Sequence, residues 1–108
     1  MDGTERFETL VATFAGTPGV TLPEDGGRRF GATALKVHGA IFAMQVQGEL
    51  VLKLPRERVA ALIESGSGGP FSSGKGTPMR EWVTVVEPPD GDEALAREAL
   101  DFVRSQRG

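Results

Sequence analysis

The 108-residue sequence predicts a two-layer α+β fold, in which helices pack on one face of an antiparallel sheet. Three observations predict this class. Apolar residues recur at helical spacing in three separate segments, and they alternate with a period of two in a central run. Short turns that contain glycine join the alternating segments, as in a meander of antiparallel strands. The predicted order is α-β-β-β-α-β-α, within one domain that spans residues 1–108.

The first helix is predicted at about residues 4–15. Phe7, Leu10, Val11 and Phe14 fall at positions i, i+3, i+4 and i+7 of this segment and would share one face. The stretch that follows, AGTPGVTLPEDGG, contains two prolines and four glycines and therefore ends the helix.

Three strands of a meander are predicted between Phe30 and Leu54. His38-Gly39 is interpreted as the first two-residue turn and Gly48-Glu49 as the second. The middle strand has two distinct sides, and the side that contains Phe42 is expected to face the helices. On that side lie Phe42, Met44 and Val46, and on the opposite side Gln45 and Gln47. In the third strand Leu50, Leu52 and Leu54 alternate with Val51 and Lys53.

A second helix is expected after Pro55, because proline suits a first helical turn. Val59, Leu62 and Ile63 form its apolar stripe, and Gly66 ends it. Residues 66–78 are interpreted as a loop rich in glycine and serine, and residues 81–87 as a strand. The last helix follows PPDGDE, with an apolar face of Leu95, Ala99, Phe102 and Val103.

The glycine-rich loop contains G-x-x-x-x-G-K, seven of the eight positions of a phosphate-binding loop. Gly76 stands where the Mg²⁺-binding hydroxyl is required, and Pro70 lacks one of the N–H groups that would cradle phosphate. The predicted flanks are also reversed, with a helix before the loop and a strand after it. The motif therefore predicts a connection that lacks nucleotide-hydrolysing chemistry, with Lys75 as a weak contact for an anion or a partner.

Composition argues against several other kinds of chemistry. The chain has no cysteine and a single histidine, His38, so a zinc site is not expected. No cofactor is expected either. His38 is interpreted as a turn residue rather than a general base. The N-terminal segment has no apolar stretch typical of a secretory signal, and no apolar run approaches the length of a membrane span. A cytoplasmic location is the expectation.

The net charge of −3 and the pI of about 5.1 lower the expectation of nucleic-acid binding. A modest basic patch would nevertheless form if Lys36, Lys53 and Arg80 gathered on the open side of the sheet. Trp82 is a core residue or, less commonly, a platform for stacking a base. The candidate binding residues are Lys53, Lys75, Arg80 and Trp82.

The segment from Phe30 to Val86 carries an ordered set of short stretches. They are FGATALKVHGAIFAMQVQGELVLKLP, then RVAALIESG, then PFSSGKGTPMREWVTV. This segment resembles the N-terminal domain of the TfoX/Sxy family of bacterial proteins, and more distantly the MmcQ/YjbR group. The resemblance implies a small α+β domain with no established catalytic role.

Two functional hypotheses follow. The first is a non-enzymatic regulatory module that acts through contacts with another protein or through self-association. The second is a DNA-associated regulator of the competence type that uses the basic positions. An enzyme that uses the glycine-rich loop is the weakest interpretation.

Overall fold

The computed structural model describes residues 3–23, 32–72 and 78–107, and they form three helices and one six-stranded sheet. The helices are α1 (Gly3–Phe14), α2 (Arg56–Glu64) and α3 (Asp92–Arg107). The strands are β1 (Val20–Thr21), β2 (Ala32–Val37), β3 (Ala40–Val46), β4 (Glu49–Lys53), β5 (Gly68–Ser72) and β6 (Pro78–Val85). Every neighbouring pair is antiparallel, in the spatial order β1-β2-β3-β4-β6-β5. The predicted α+β class is confirmed.

All three helices contribute to one apolar core on a single face of the sheet. Helices α1 and α3 pack on the central strands, and α2 packs on β5 and β6. Leu35, Ala43, Leu52 and Val83 lie side by side across four strands and are fully buried in this core. The predicted two-layer arrangement, with helices on one face, is therefore confirmed. No helix in the described ranges is long and apolar enough to cross a membrane.

The two hairpin turns have the same backbone geometry. In the first, His38 and Gly39 have φ angles of 50° and 83°, as the sequence predicts. In the second, the positive φ angles belong to Gln47 (51°) and Gly48 (81°). The prediction of a Gly48-Glu49 turn was one residue too late. Two consecutive positive φ angles define a type I′ turn, in which glycine commonly takes the second central position.

A β-bulge in β3 changes which side chains face the helices. Leu35 pairs with Ala43 but Lys36 pairs with Ile41, so Phe42 has no cross-strand partner. Phe42 turns towards the helices and packs edge-to-face on Phe14, with ring centroids 5.6 Å apart. A bulge of this kind places two successive residues opposite one and resets the alternation that follows.

The predicted sides of β3 are therefore wrong beyond Phe42. Gln45 lies on the helix side, where it pairs with buried Leu50 and its Nε2 donates a hydrogen bond to Thr4 Oγ1 at 3.1 Å. Met44 and Val46 lie on the opposite side. The bulge therefore reverses the sides that the sequence predicts for the residues after Phe42.

The segment predicted as a loop at 66–78 begins instead with strand β5. Gly68 and Gly69 pair with Val85 and Thr84, and a Cβ atom at Gly68 would lie 2.6 Å from Val83 Cγ2. Only glycine permits this close approach of β5 to β6 without displacement of the neighbouring side chain. Pro70 suits the outer strand of a sheet, where its missing N–H is not required for pairing.

One side chain predicted to be an apolar contact, and one residue of the predicted strand 81–87, are exposed. Ile63 of α2, predicted to lie in the apolar stripe, has 37% of its surface exposed. Val86 follows the end of β6 and is 58% exposed. In α2 only Val59 and Leu62 are buried, so its contact stripe is narrower than the sequence predicts.

Candidate interaction surface on the open sheet face

The side of the sheet opposite the helices, here called the open face, is not covered by any described helix. Its centre is Val51, which is fully buried but does not belong to the core cluster. Val51 pairs with Met44 on one side and Thr84 on the other. Cross-strand partners point to the same face, so these three side chains mark the open face directly.

The middle of the open face is a row of small or apolar side chains. Ala34 pairs with Met44, and Gly69 pairs with Thr84, which extends the row over five strands. Ala34, Met44 and Thr84 are half-buried, whereas Val51 between them has no exposed surface. Met44 is the one long side chain in this row.

One end of the open face is basic and aromatic. Lys36 pairs with Ile41, and Lys53 pairs with Trp82. Lys53 Nζ lies 5.6 Å from the Trp82 ring centroid, within the range of a cation–π contact. The same Nζ is 4.0 Å from a carboxylate oxygen of Glu81, which partly offsets its charge.

The opposite end of the open face is acidic. Val46 pairs with Glu49 at the far end of β3 and β4, and the Glu49 side chain is exposed. Lys53 and Glu49 are four residues apart in one strand, which separates their Cα atoms by roughly 14 Å. The open face therefore has a lysine end, an apolar middle and a glutamate end.

The structure brings together two of the four predicted binding residues. Lys53 and Trp82 are neighbours on the open face. Arg80 is exposed and lines a cleft at the end of the sheet, while Lys75 lies outside the described residues. Of the three residues of the predicted basic patch, Lys36 and Lys53 lie on the open face, with Lys53 close to Glu81, and Arg80 lines the cleft.

The cleft beside Arg80 has a volume of about 390 Å³ and lies between the start of α2, β6 and the last turns of α3. It is lined by Pro55, Arg56, Glu57, Arg80, Glu81 and Phe102. Two arginines and two glutamates leave it with no net charge, so its electrostatics select neither anions nor cations. Within residues 3–23, 32–72 and 78–107, no cluster of three His, Cys, Asp or Glu side chains could hold a metal ion.

His38 occupies the tip of the first hairpin and is exposed. Its N–H donates a hydrogen bond to the carbonyl of Gly19, and a Cβ atom added at Gly19 would lie 2.8 Å from its ring. These contacts attach β1 to the hairpin, which agrees with the interpretation of His38 as a turn residue.

The sequence interpretation missed the residues that form most of the open face. Met44, Val46 and Ile41 were assigned to the buried side or not assigned, and Glu49 was placed in a turn. The one signal in the sequence is the unbroken apolar run Ala40-Ile41-Phe42-Ala43-Met44, which does not alternate. Such a run is compatible with a strand that has both faces apolar, and also with a bulge.

Comparison with protein-family models, with curated proteins and with solved structures returns no match to this chain.

Proposed function

We propose that this chain is a non-enzymatic, cytoplasmic binding module of the TfoX N-terminal kind, in a bacterial protein, and that it acts through protein contacts made by the open face. The observation that carries the proposal is the row Ala34–Met44–Val51–Thr84, an apolar strip on a sheet face without a helix layer in the described ranges. Strips of this kind, bordered by charged residues, are typical of protein interaction sites.

The composition of the open face favours a protein partner over a nucleic acid. Its middle is apolar, and Lys53 already has Glu81 at 4.0 Å. Nucleic-acid surfaces gain most of their affinity from lysines and arginines that contact phosphates. Trp82 beside the apolar row is the residue type that most often anchors protein interfaces.

The local structure of the phosphate-loop motif supports a structural role for the motif over a nucleotide site. Its first four positions, 69–72, belong to β5, where Gly69 pairs with Thr84. A cradle for phosphate requires free N–H groups in a loop that leads into a helix. Backbone in an antiparallel ladder has a different geometry, so the motif is assigned a structural role.

Affinity capture with matched variants tests the protein-contact proposal. Met44→Lys places a charge in the apolar row, whereas Ile63→Lys places the same charge at an exposed position of α2. Wild type and Ile63→Lys are expected to retain the same bound proteins from a lysate of the source organism, and Met44→Lys is expected to lose them. Equal retention by all three, with each variant folded by circular dichroism, would refute the role of the open face.

A DNA-associated regulator remains the second candidate, supported by Lys36 and Lys53 at the same end of the open face. Non-specific binding no tighter than about 10⁻⁴–10⁻⁶ M is expected, and it should weaken as salt rises. Fluorescence anisotropy with a labelled duplex at two salt concentrations measures it. Nanomolar, sequence-selective binding that a Lys53/Lys75/Arg80 triple-alanine variant loses would replace the protein-contact proposal with the regulator.

A further inference from the structure

We draw no further inference here: the strongest candidate, the cleft of about 390 Å³ between the start of α2, β6 and the last turns of α3, is lined by arginine and glutamate side chains in equal number, and nothing among the described residues shows which ligand would occupy it.

Discussion

Gly3 determines how the start of α1 meets the second hairpin. Its N–H donates a hydrogen bond to the Gly48 carbonyl at 2.9 Å. A Cβ atom at this position would lie 2.5 Å from Glu49 Cα and close to the Gly48 carbonyl oxygen. Backbone atoms cannot move aside as the end of a flexible side chain can, so the contact requires glycine.

Gly3→Ala is therefore expected to lower the free energy of unfolding by about 1–3 kcal/mol, the usual cost of overpacking. Gly69→Ala is the matched control, because a Cβ there meets no atom within 4 Å and its φ angle is not positive. The control should change stability by less than about 1 kcal/mol, in the stabilising direction. Urea unfolding of both variants measures the difference, and equal losses would contradict the close approach at Gly3.

Arg6 joins three elements at one point. Its Nε and Nη2 donate hydrogen bonds to the two Asp92 carboxylate oxygens at 2.8 and 2.7 Å, and its Nη1 donates to the Val85 carbonyl at 3.1 Å. The hydrogen bond to Asp92 raises the pKa of Arg6 and outweighs the opposite effect of burial. A raised pKa means that the pair stabilises the folded state at neutral pH, and this contribution is lost as the pH rises through the folded pKa.

Arg6→Lys should cost about 1–3 kcal/mol of unfolding free energy, because lysine cannot form the two-pronged pair and the partly buried Asp92 loses a donor. The Arg6 and Asp92 side chains are 15% and 24% exposed, so solvent screens the pair only in part. Arg104→Lys provides a control with an exposed Asp101 partner, and its cost should stay below about 0.5 kcal/mol. Chemical denaturation at neutral pH compares them. Equal losses of unfolding free energy would show that the Arg6–Asp92 pair stabilises the fold no more than an exposed ion pair does.

At the scale of elements, the bulge in β3 has the largest consequence. It places the Gln45 amide on the helix side, where Nε2 has Thr4 as a partner but the buried Oε1 has none among the described residues. A buried acceptor without a donor is destabilising, and an apolar group of similar shape removes that cost. Met44 lies on the open face and has no polar atom that needs a hydrogen-bond donor.

The reciprocal variants Gln45→Met and Met44→Gln test this assignment. Gln45→Met should leave stability unchanged or raise it by up to about 1 kcal/mol, because the loss of the Thr4 bond is offset by removal of the unpaired oxygen. Met44→Gln should cost no more than about 1 kcal/mol, because Met44 is half-buried and lies outside the core. Phe42→Ala should cost about 3–5 kcal/mol and provides the reference loss of stability for a buried core residue. If Met44→Gln lost as much stability as Phe42→Ala, Met44 would face the core, as a strand without the bulge predicts.

The elements that the sequence predicted are those with strong periodicity. Phe7, Leu10 and Phe14 repeat at helical spacing and are buried in α1, and His38-Gly39 has the turn geometry that its composition indicates. The strands of the meander follow from alternation. These features are local, so a single sequence carries enough information to predict them.

The features that the sequence did not predict depend on distant partners. Strand β5 is GGPFS, a composition that is unfavourable for strands, and it forms because β6 offers a free edge and Gly68 fits against Val83. Strand β1 has two residues, held by pairing of Val20 with Val37. The bulge places Phe42 against the Phe14 ring across the core, a contact that no spacing within β3 reveals.

At the scale of the whole molecule, the account predicts no nucleotide hydrolysis. Residues 69–72 of the motif lie in β5, and Gly76 supplies no hydroxyl for Mg²⁺. Lys75 lies outside the described residues, so its role is tested by substitution. Phosphate release from ATP and GTP should equal the background for wild type and for Lys75→Ala. Turnover that wild type shows and Lys75→Ala loses would establish a nucleotide site.

The central claim is that the open face, and not the helix layer, is the surface that binds. Methyl NMR tests it most directly, because Met44, Val46 and Ile41 report on the open face and Ile63 reports on α2. The partner is added as increasing concentrations of the chain itself, and in a second titration as a protein recovered by capture. The account predicts chemical-shift changes at Met44, Val46 and Ile41 with Ile63 unchanged. Changes confined to Ile63 and the helix methyls, with the open face unaffected in both titrations, would contradict it.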